Sequence, residues 1–175
     1  VAHWIWGNGG FLGLLGGKGA VDFAGGMVVH INAGMAALAA AVFLGRRQGF
    51  PHTISPPHNL PFAALGASLL WFGWFGFNAG SALAANAVAV SAFMATHIAG
   101  AVAGITWIVL DWIKFGKPTT LGMITGAVAG LAAVTPASGF VSISGAVCIA
   151  VGAGIICWIA VTFTKAKFKY DDSLD

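Results

Sequence analysis

The chain has 175 residues, of which 58% are apolar and 7% charged, with a formal net charge of +3. A soluble domain carries about 25% charged residues, so this composition cannot give a globule a solvated surface. It excludes a soluble enzyme domain, a disordered tail and a nucleic-acid-binding module, and leaves lipid as the solvent the chain fits.

Residues 1–21 read as an outer loop that is glycine-rich and apolar, Trp6-Gly-Asn-Gly-Gly-Phe-Leu-Gly-Leu-Leu-Gly-Gly-Lys-Gly19. Trp4 and Trp6 suit an aromatic belt at the interface, and no Walker pattern accompanies the glycines. The first span covers about residues 22–45 and is closed by Arg46 and Arg47; a Pro/His-rich loop with His52 and His58 follows. The second span covers about 60–81, the third about 87–110, stopped by Asp111-Trp-Ile-Lys114. The uncharged run up to Thr164 is long enough for two crossings, and the turn chemistry of Thr135-Pro-Ala-Ser-Gly139 divides it into spans of about 119–134 and 140–164. Residues 165–175 form an inner loop. The predicted fold class is therefore all-α integral membrane with five transmembrane helices, because the apolar runs lack the alternation of a barrel. The 26 glycines suit close helix packing in lipid. Cys148 and Cys157 stand too far apart on one helix for a disulfide and read as packing residues.

Alternating crossings put Arg46, Arg47, Lys114, Lys117, Lys165, Lys167 and Lys169 on one side and leave Lys18 on the other. By the positive-inside rule that basic side is the inner one, and the first span enters from outside.

Asp22 stands at the head of the first span, where a carboxylate can accept hydrogen bonds from free N–H groups of the first turn. The alternative for it is attracting a cation at a pathway mouth, and the two roles are compatible. His30 falls well inside the membrane, where an ionisable side chain tends to face a pathway or a partner. A neutral imidazole both donates and accepts, which suits a small N–H species or a proton. His97 has the same formal argument without a companion motif, so a structural role stays open for it beside a functional one. In the second span, Trp74, Phe77 and Ser81 share one helix face. Such a face can serve as an interfacial anchor, or can bind a small cation by cation–π attraction plus one hydrogen bond. Asp111 reads as an interfacial residue with local charge partners. No catalytic triad, carboxylate pair or zinc pattern appears, so neither an enzyme nor a metal or cofactor site is expected.

The stretch Asp22-Phe-Ala-Gly-Gly-Met-Val-Val-His30-Ile-Asn-Ala-Gly through Arg47 closely resembles the signature of the ammonium transporter (Amt/Mep/Rh) family. The resemblance continues through Pro57-His-Asn-Leu-Pro61, Gly73-Trp-Phe-Gly-Phe-Asn-Ala-Gly-Ser81, Gly116-Lys-Pro118 and Thr135-Pro-Ala-Ser-Gly139. It implies a fold of about eleven transmembrane helices with inverted repeats, of which this chain supplies the fifth to the ninth. It implies a homotrimer with one pore per subunit in the cell membrane, ammonium or ammonia as substrate, and a cytosolic PII-type regulator as a plausible partner. It assigns outer recognition of ammonium to Trp6, Phe77 and Ser81, support of that site to Asp22, and the pore to His30 and Trp74. The Trp6 transfer is the least direct, because the glycine-rich segment after it varies in length. The family's second pore histidine lies beyond the stretch resembled by Lys169-Tyr-Asp-Asp-Ser-Leu-Asp175, and its first four helices have no counterpart here. The chain is accordingly expected to be a fragment of a longer transporter. The rivals are an Rh-type channel for ammonia or carbon dioxide, a membrane sensor of the same fold, and a packing subunit without transport.

Overall fold

A computed structural model of the chain describes residues 1–14, 21–50 and 57–171. The sequence readings that rest on Lys18, on His52 and on the final residues 172–175 lie outside the described residues. The outer segment begins with two short helices, α1 (Ala2–Trp6) and α2 (Phe11–Leu14). Five longer helical elements follow: α3 (Asn32–Leu44), α4 (Leu60–Gly80), α5 (Ala87–Phe115), α6 (Thr120–Val134) and α7 (Ile143–Ile159). A π-helical turn, Gly26–Ile31, leads into α3, and another, Ala160–Thr164, joins α7 to a final short helix α8 (Lys165–Phe168). No strand occurs among the described residues. Among the described residues, four continuous helical segments are long and apolar enough to cross a membrane: Gly26–Leu44, Leu60–Gly80, Ala87–Phe115 and Ile143–Phe168, while Thr120–Val134 is a shorter apolar helix.

Side-chain caps set the helix starts. Asn59, Asn86, Thr119 and Ser142 each accept a hydrogen bond from a backbone N–H in the first turn of α4, α5, α6 and α7, satisfying a donor that the helix itself leaves unpaired. Pro61 stands in the first turn of α4, where its missing N–H is harmless. Helix α5 runs on past the charged Asp111 and stops at Gly116, whose φ of 76° is the left-handed geometry of a helix C-terminus.

Helix α5 is the centre of the bundle and packs against α4, α6 and α7. Its buried face is built from small residues, Ala95, Ala99 and Ala103, which meet Ala146 and Ala150 of α7 and Val134 at the end of α6. Without a hydrophobic force between helices in lipid, close backbone approach and dispersion contacts carry the association. Gly130 shows how close the approach is: a Cβ there would fall on the carbonyl oxygen of Ala99 and within 2.5 Å of the Ala103 methyl. Helix α3 is different. From Ile31 to Ala40 every residue is exposed, so α3 meets the bundle through the π turn that precedes it.

The end of the bundle that carries the basic clusters is closed by polar ties. Asp111 is 4% exposed. It accepts hydrogen bonds from Trp158 Nε1 at 2.9 Å and Thr119 Oγ1 at 2.7 Å, linking α5, α6 and α7. Both of these donors are neutral, where the sequence reading expects local charges. Lys114 lies over the Phe163 ring instead, 5.3 Å from its centroid, a cation–π arrangement. Arg47 donates to Asp171 from Nη2 (2.7 Å) and Nε (2.8 Å), and its backbone N–H adds a third bond at 2.8 Å. Arg46 Nε donates to the Lys169 carbonyl at 2.7 Å. A cleft of about 700 Å³ at this end is lined by Arg47, Asp111, Lys114, Thr119 and Lys165, among others, so residues from all three basic clusters meet on one side.

Candidate functional site

The opposite end holds the candidate residues, and Asp22 organises them. Its Oδ1 accepts from the backbone N–H groups of Gly25 (3.2 Å) and Gly26, and its Oδ2 from Met27 (2.9 Å) and Val28 (3.3 Å). One buried carboxylate therefore satisfies the free donors at the head of the π turn and faces the positive end of its dipole. π turns are rare, and they concentrate at functional sites because they re-aim a side chain within a helix. Here the turn carries His30.

The Thr135–Gly139 segment locks the turn in place. Phe23 N–H donates to the Pro136 carbonyl at 2.8 Å. At Gly26 a Cβ would meet the Pro136 ring at 2.7 Å, so only glycine allows this approach. Phe23 packs edge-on against Phe140, with ring centroids 5.4 Å apart.

His30 faces α4. Its ring lies 5.1 Å from Trp74 and 5.7 Å from Phe77, centroid to centroid, and the two α4 rings are 6.1 Å from each other. The fourth member is Thr135, whose buried hydroxyl accepts from Trp74 Nε1 at 2.9 Å and lies 3.3 Å from His30 Nε2. In the sequence Thr135 stands out only as part of a turn. Nothing in local spacing signals a residue whose partners are 61 and 105 positions away.

The remaining candidates occupy the rim. Trp6 donates from Nε1 to the Asp22 carbonyl at 3.0 Å, and its ring borders Gly25, so it sits on the loop that Asp22 organises. Ser81, just past the end of α4, donates its hydroxyl to the Phe77 carbonyl at 2.8 Å. Trp6 is 47% exposed and Phe77 39%, leaving aromatic faces open. The structure thus joins His30, Trp74 and Phe77 directly and Trp6 to Asp22. Among the described residues no hydrogen bond or ring contact joins Trp6 to Phe77 or Ser81.

His97 lies apart from this cluster, exposed on α5 between Trp71 (5.8 Å) and Phe75 (6.0 Å). No group of His, Cys, Asp and Glu suited to a metal ion occurs among the described residues.

The sequence profile described as the Ammonium Transporter Family matches residues 1–175. The chain belongs to the ammonium transporter family. It is 57% identical over 174 residues to the ammonium transporter Amt1 of Archaeoglobus fulgidus, covering 99% of this chain and 43% of that protein. It is 52% identical over 175 residues to an ammonium transporter of Aquifex aeolicus, covering 100% of this chain and 40% of that one. The chain therefore spans about two fifths of the length of these curated relatives. Among solved structures, Candida albicans Mep2 matches with a TM-score of 0.88 at 39% identity, over 99% of this chain and 38% of Mep2. A structure described as a sensor Amt protein matches with a TM-score of 0.88 at 37% identity, over 97% of this chain and 44% of that one. The resemblance carried by the motifs is thus a family membership, and the fold is that of membrane-embedded ammonium transporters.

Proposed function

We propose that the chain forms part of the conduit of an ammonium transporter, with ammonium recognised at the outer rim and ammonia passing along His30. The observation that carries the reading is the convergence of His30, Trp74 and Phe77 from the π turn and α4 onto one aromatic-walled cluster. Open aromatic faces attract a small cation, and a hydroxyl adds one directional contact; Trp6, Phe77 and Ser81 supply these groups at the rim. Asp22 holds the turn through four backbone N–H groups and so supports the site without offering its carboxylate to the substrate.

Past the rim, His30 and Trp74 face each other within the span. An unpaired ion there is heavily penalised, so ammonium gives up a proton before or during passage and the neutral species crosses. His30 can hold that species by hydrogen bonding, and the Trp74 ring lines the path beside it. The five apolar helices serve as the chain's spans, with the Arg47–Asp171 end on the inner side, which agrees with the gathering of basic residues there. Assembly as a homotrimer in the cell membrane and control by a PII-type regulator at the inner face belong to the same reading and follow from the family resemblance.

The likeness to a sensor Amt protein favours a second reading, in which the same fold detects ammonium for a signalling output. Transport separates the two. In proteoliposomes of the full-length protein, uptake measured at a fixed ammonia concentration rises with ammonium and saturates. A rate that follows ammonia alone supports a gas channel, and no flux at all supports the sensor.

A further inference from the structure

The first span is tied to the rest of the chain at both of its ends. At the outer end Asp22 caps the π turn, and Phe23 N–H donates to the Pro136 carbonyl at 2.8 Å. At the inner end the Asp171 carboxylate accepts three bonds from Arg47, from Nη2 at 2.7 Å and from Nε and the backbone N–H at 2.8 Å each. The Asp171 side chain is fully buried. A forked guanidinium–carboxylate contact is strong and directional, and the backbone bond fixes the main chain at residue 47 as well as its side chain. Arg46 Nε adds a bond to the Lys169 carbonyl at 2.7 Å. Lys169 is left-handed, with φ of 53°, a geometry that residues with a Cβ avoid and that persists where the surroundings impose it.

Between the two ties runs α3, one unbroken helix of 13 residues and so about 20 Å long. A helix of that length moves as a rod, and a π turn is a place at which a helix bends. His30 lies in the π turn, so the angle of α3 bears on how its ring meets Trp74 and Phe77. We propose that Arg47 and Asp171 are positioning residues, which latch α3 at the inner face and thereby hold the π turn at the far end of the span. They act through the helix. Their effect on transport rests on the proposed function; the mechanical link does not.

Hydrogen–deuterium exchange of the full-length protein in lipid nanodiscs tests the link. Asp171→Asn and Arg47→Ala each speed amide exchange within Gly26–Ile31 by about tenfold, the worth of one hydrogen bond to a charged group, while α6 exchanges at the parent rate. The double variant exchanges like either single one, because both substitutions open the same latch. Arg47→Lys keeps the charge and loses the fork; it gives a smaller rise and decides where the other variants do not assemble. A π turn that exchanges at the parent rate in these variants, or losses that multiply in the double variant, overturns the proposal. In proteoliposomes holding equal amounts of assembled protein, the maximal uptake rate falls in the single variants while the half-saturating ammonium concentration stays at the parent value, because recognition lies at the outer rim. An unchanged maximal rate, or a shifted half-saturating concentration, overturns the positioning role. If exchange changes as expected while the parent carries no flux, the latch stands and the transporter reading falls.

Discussion

Asp22 and Thr135 are the two polar hubs beside His30: Asp22 accepts from four backbone N–H groups, and the Thr135 hydroxyl accepts from Trp74 Nε1 and lies 3.3 Å from His30 Nε2. Removing such a hub leaves buried N–H groups unpaired, and this costs more than the bond itself gains. Asp22→Ala should therefore destabilise the full-length protein by about 2 kcal/mol or more, read as a lowered thermal midpoint in detergent. Asp22→Asn, which keeps one acceptor oxygen, should fall between parent and alanine; an alanine variant as stable as the parent would show that the four bonds contribute nothing. Thr135→Val strands the Trp74 indole N–H and should lower the midpoint by the equivalent of about 1–3 kcal/mol, whereas Thr135→Ser should restore it. The Asp22 hub was legible in sequence because a carboxylate at the head of an apolar span has one obvious set of donors. The Thr135 hub was not, because its partners come from α4 and from the π turn, and only the packed bundle brings them within reach.

The helices follow from hydropathy and caps, and their boundaries show what local reading misses. The sequence ends the third span at about residue 110 because Asp111 looks like an interfacial stop, whereas α5 continues to Phe115. Burial explains the difference: Trp158 and Thr119 satisfy the Asp111 carboxylate inside the bundle, so the helix need not end there. The last span begins at Ile143, later than about residue 140, since the chain turns through Thr135–Phe140 before Ser142 caps α7. The π turns have no hydropathy signature, because inserting one residue re-aims a side chain without altering the apolar pattern. Packing of α5 on α6 gives a prediction whose sign opposes intrinsic propensity. Alanine is the better helix former by about 1 kcal/mol, yet Gly130→Ala drives a methyl onto the Ala99 carbonyl and should lower the thermal midpoint. A raised midpoint would mean that the two helices are not in backbone contact.

Across the whole molecule, the polar end and the His30 end are tied by different chemistry. The Arg47 guanidinium beside Asp171 holds that carboxyl down to about 2, below the ordinary carboxylate range, chiefly through its side-chain hydrogen bonds. A carboxyl depressed in the folded state stabilises fully above its ordinary value near pH 4 and loses that contribution as pH falls through about 2. Asp171→Asn should therefore lower the thermal midpoint at neutral pH, and the gap to the parent should close between about pH 4 and pH 2. A gap that does not change with pH would assign the effect to packing. Charge counting could gather the basic residues on one face, but it could not foresee a pair 124 positions apart, because each partner has nearer charges in sequence. If the cluster built around His30 is the path that ammonium nitrogen takes, replacing its imidazole must stop uptake. Uptake driven by an inward ammonium gradient is measured in proteoliposomes holding equal amounts of assembled full-length parent or His30→Leu protein. Saturable uptake by the parent and its loss in the variant are expected; an unchanged rate in His30→Leu would place the path elsewhere.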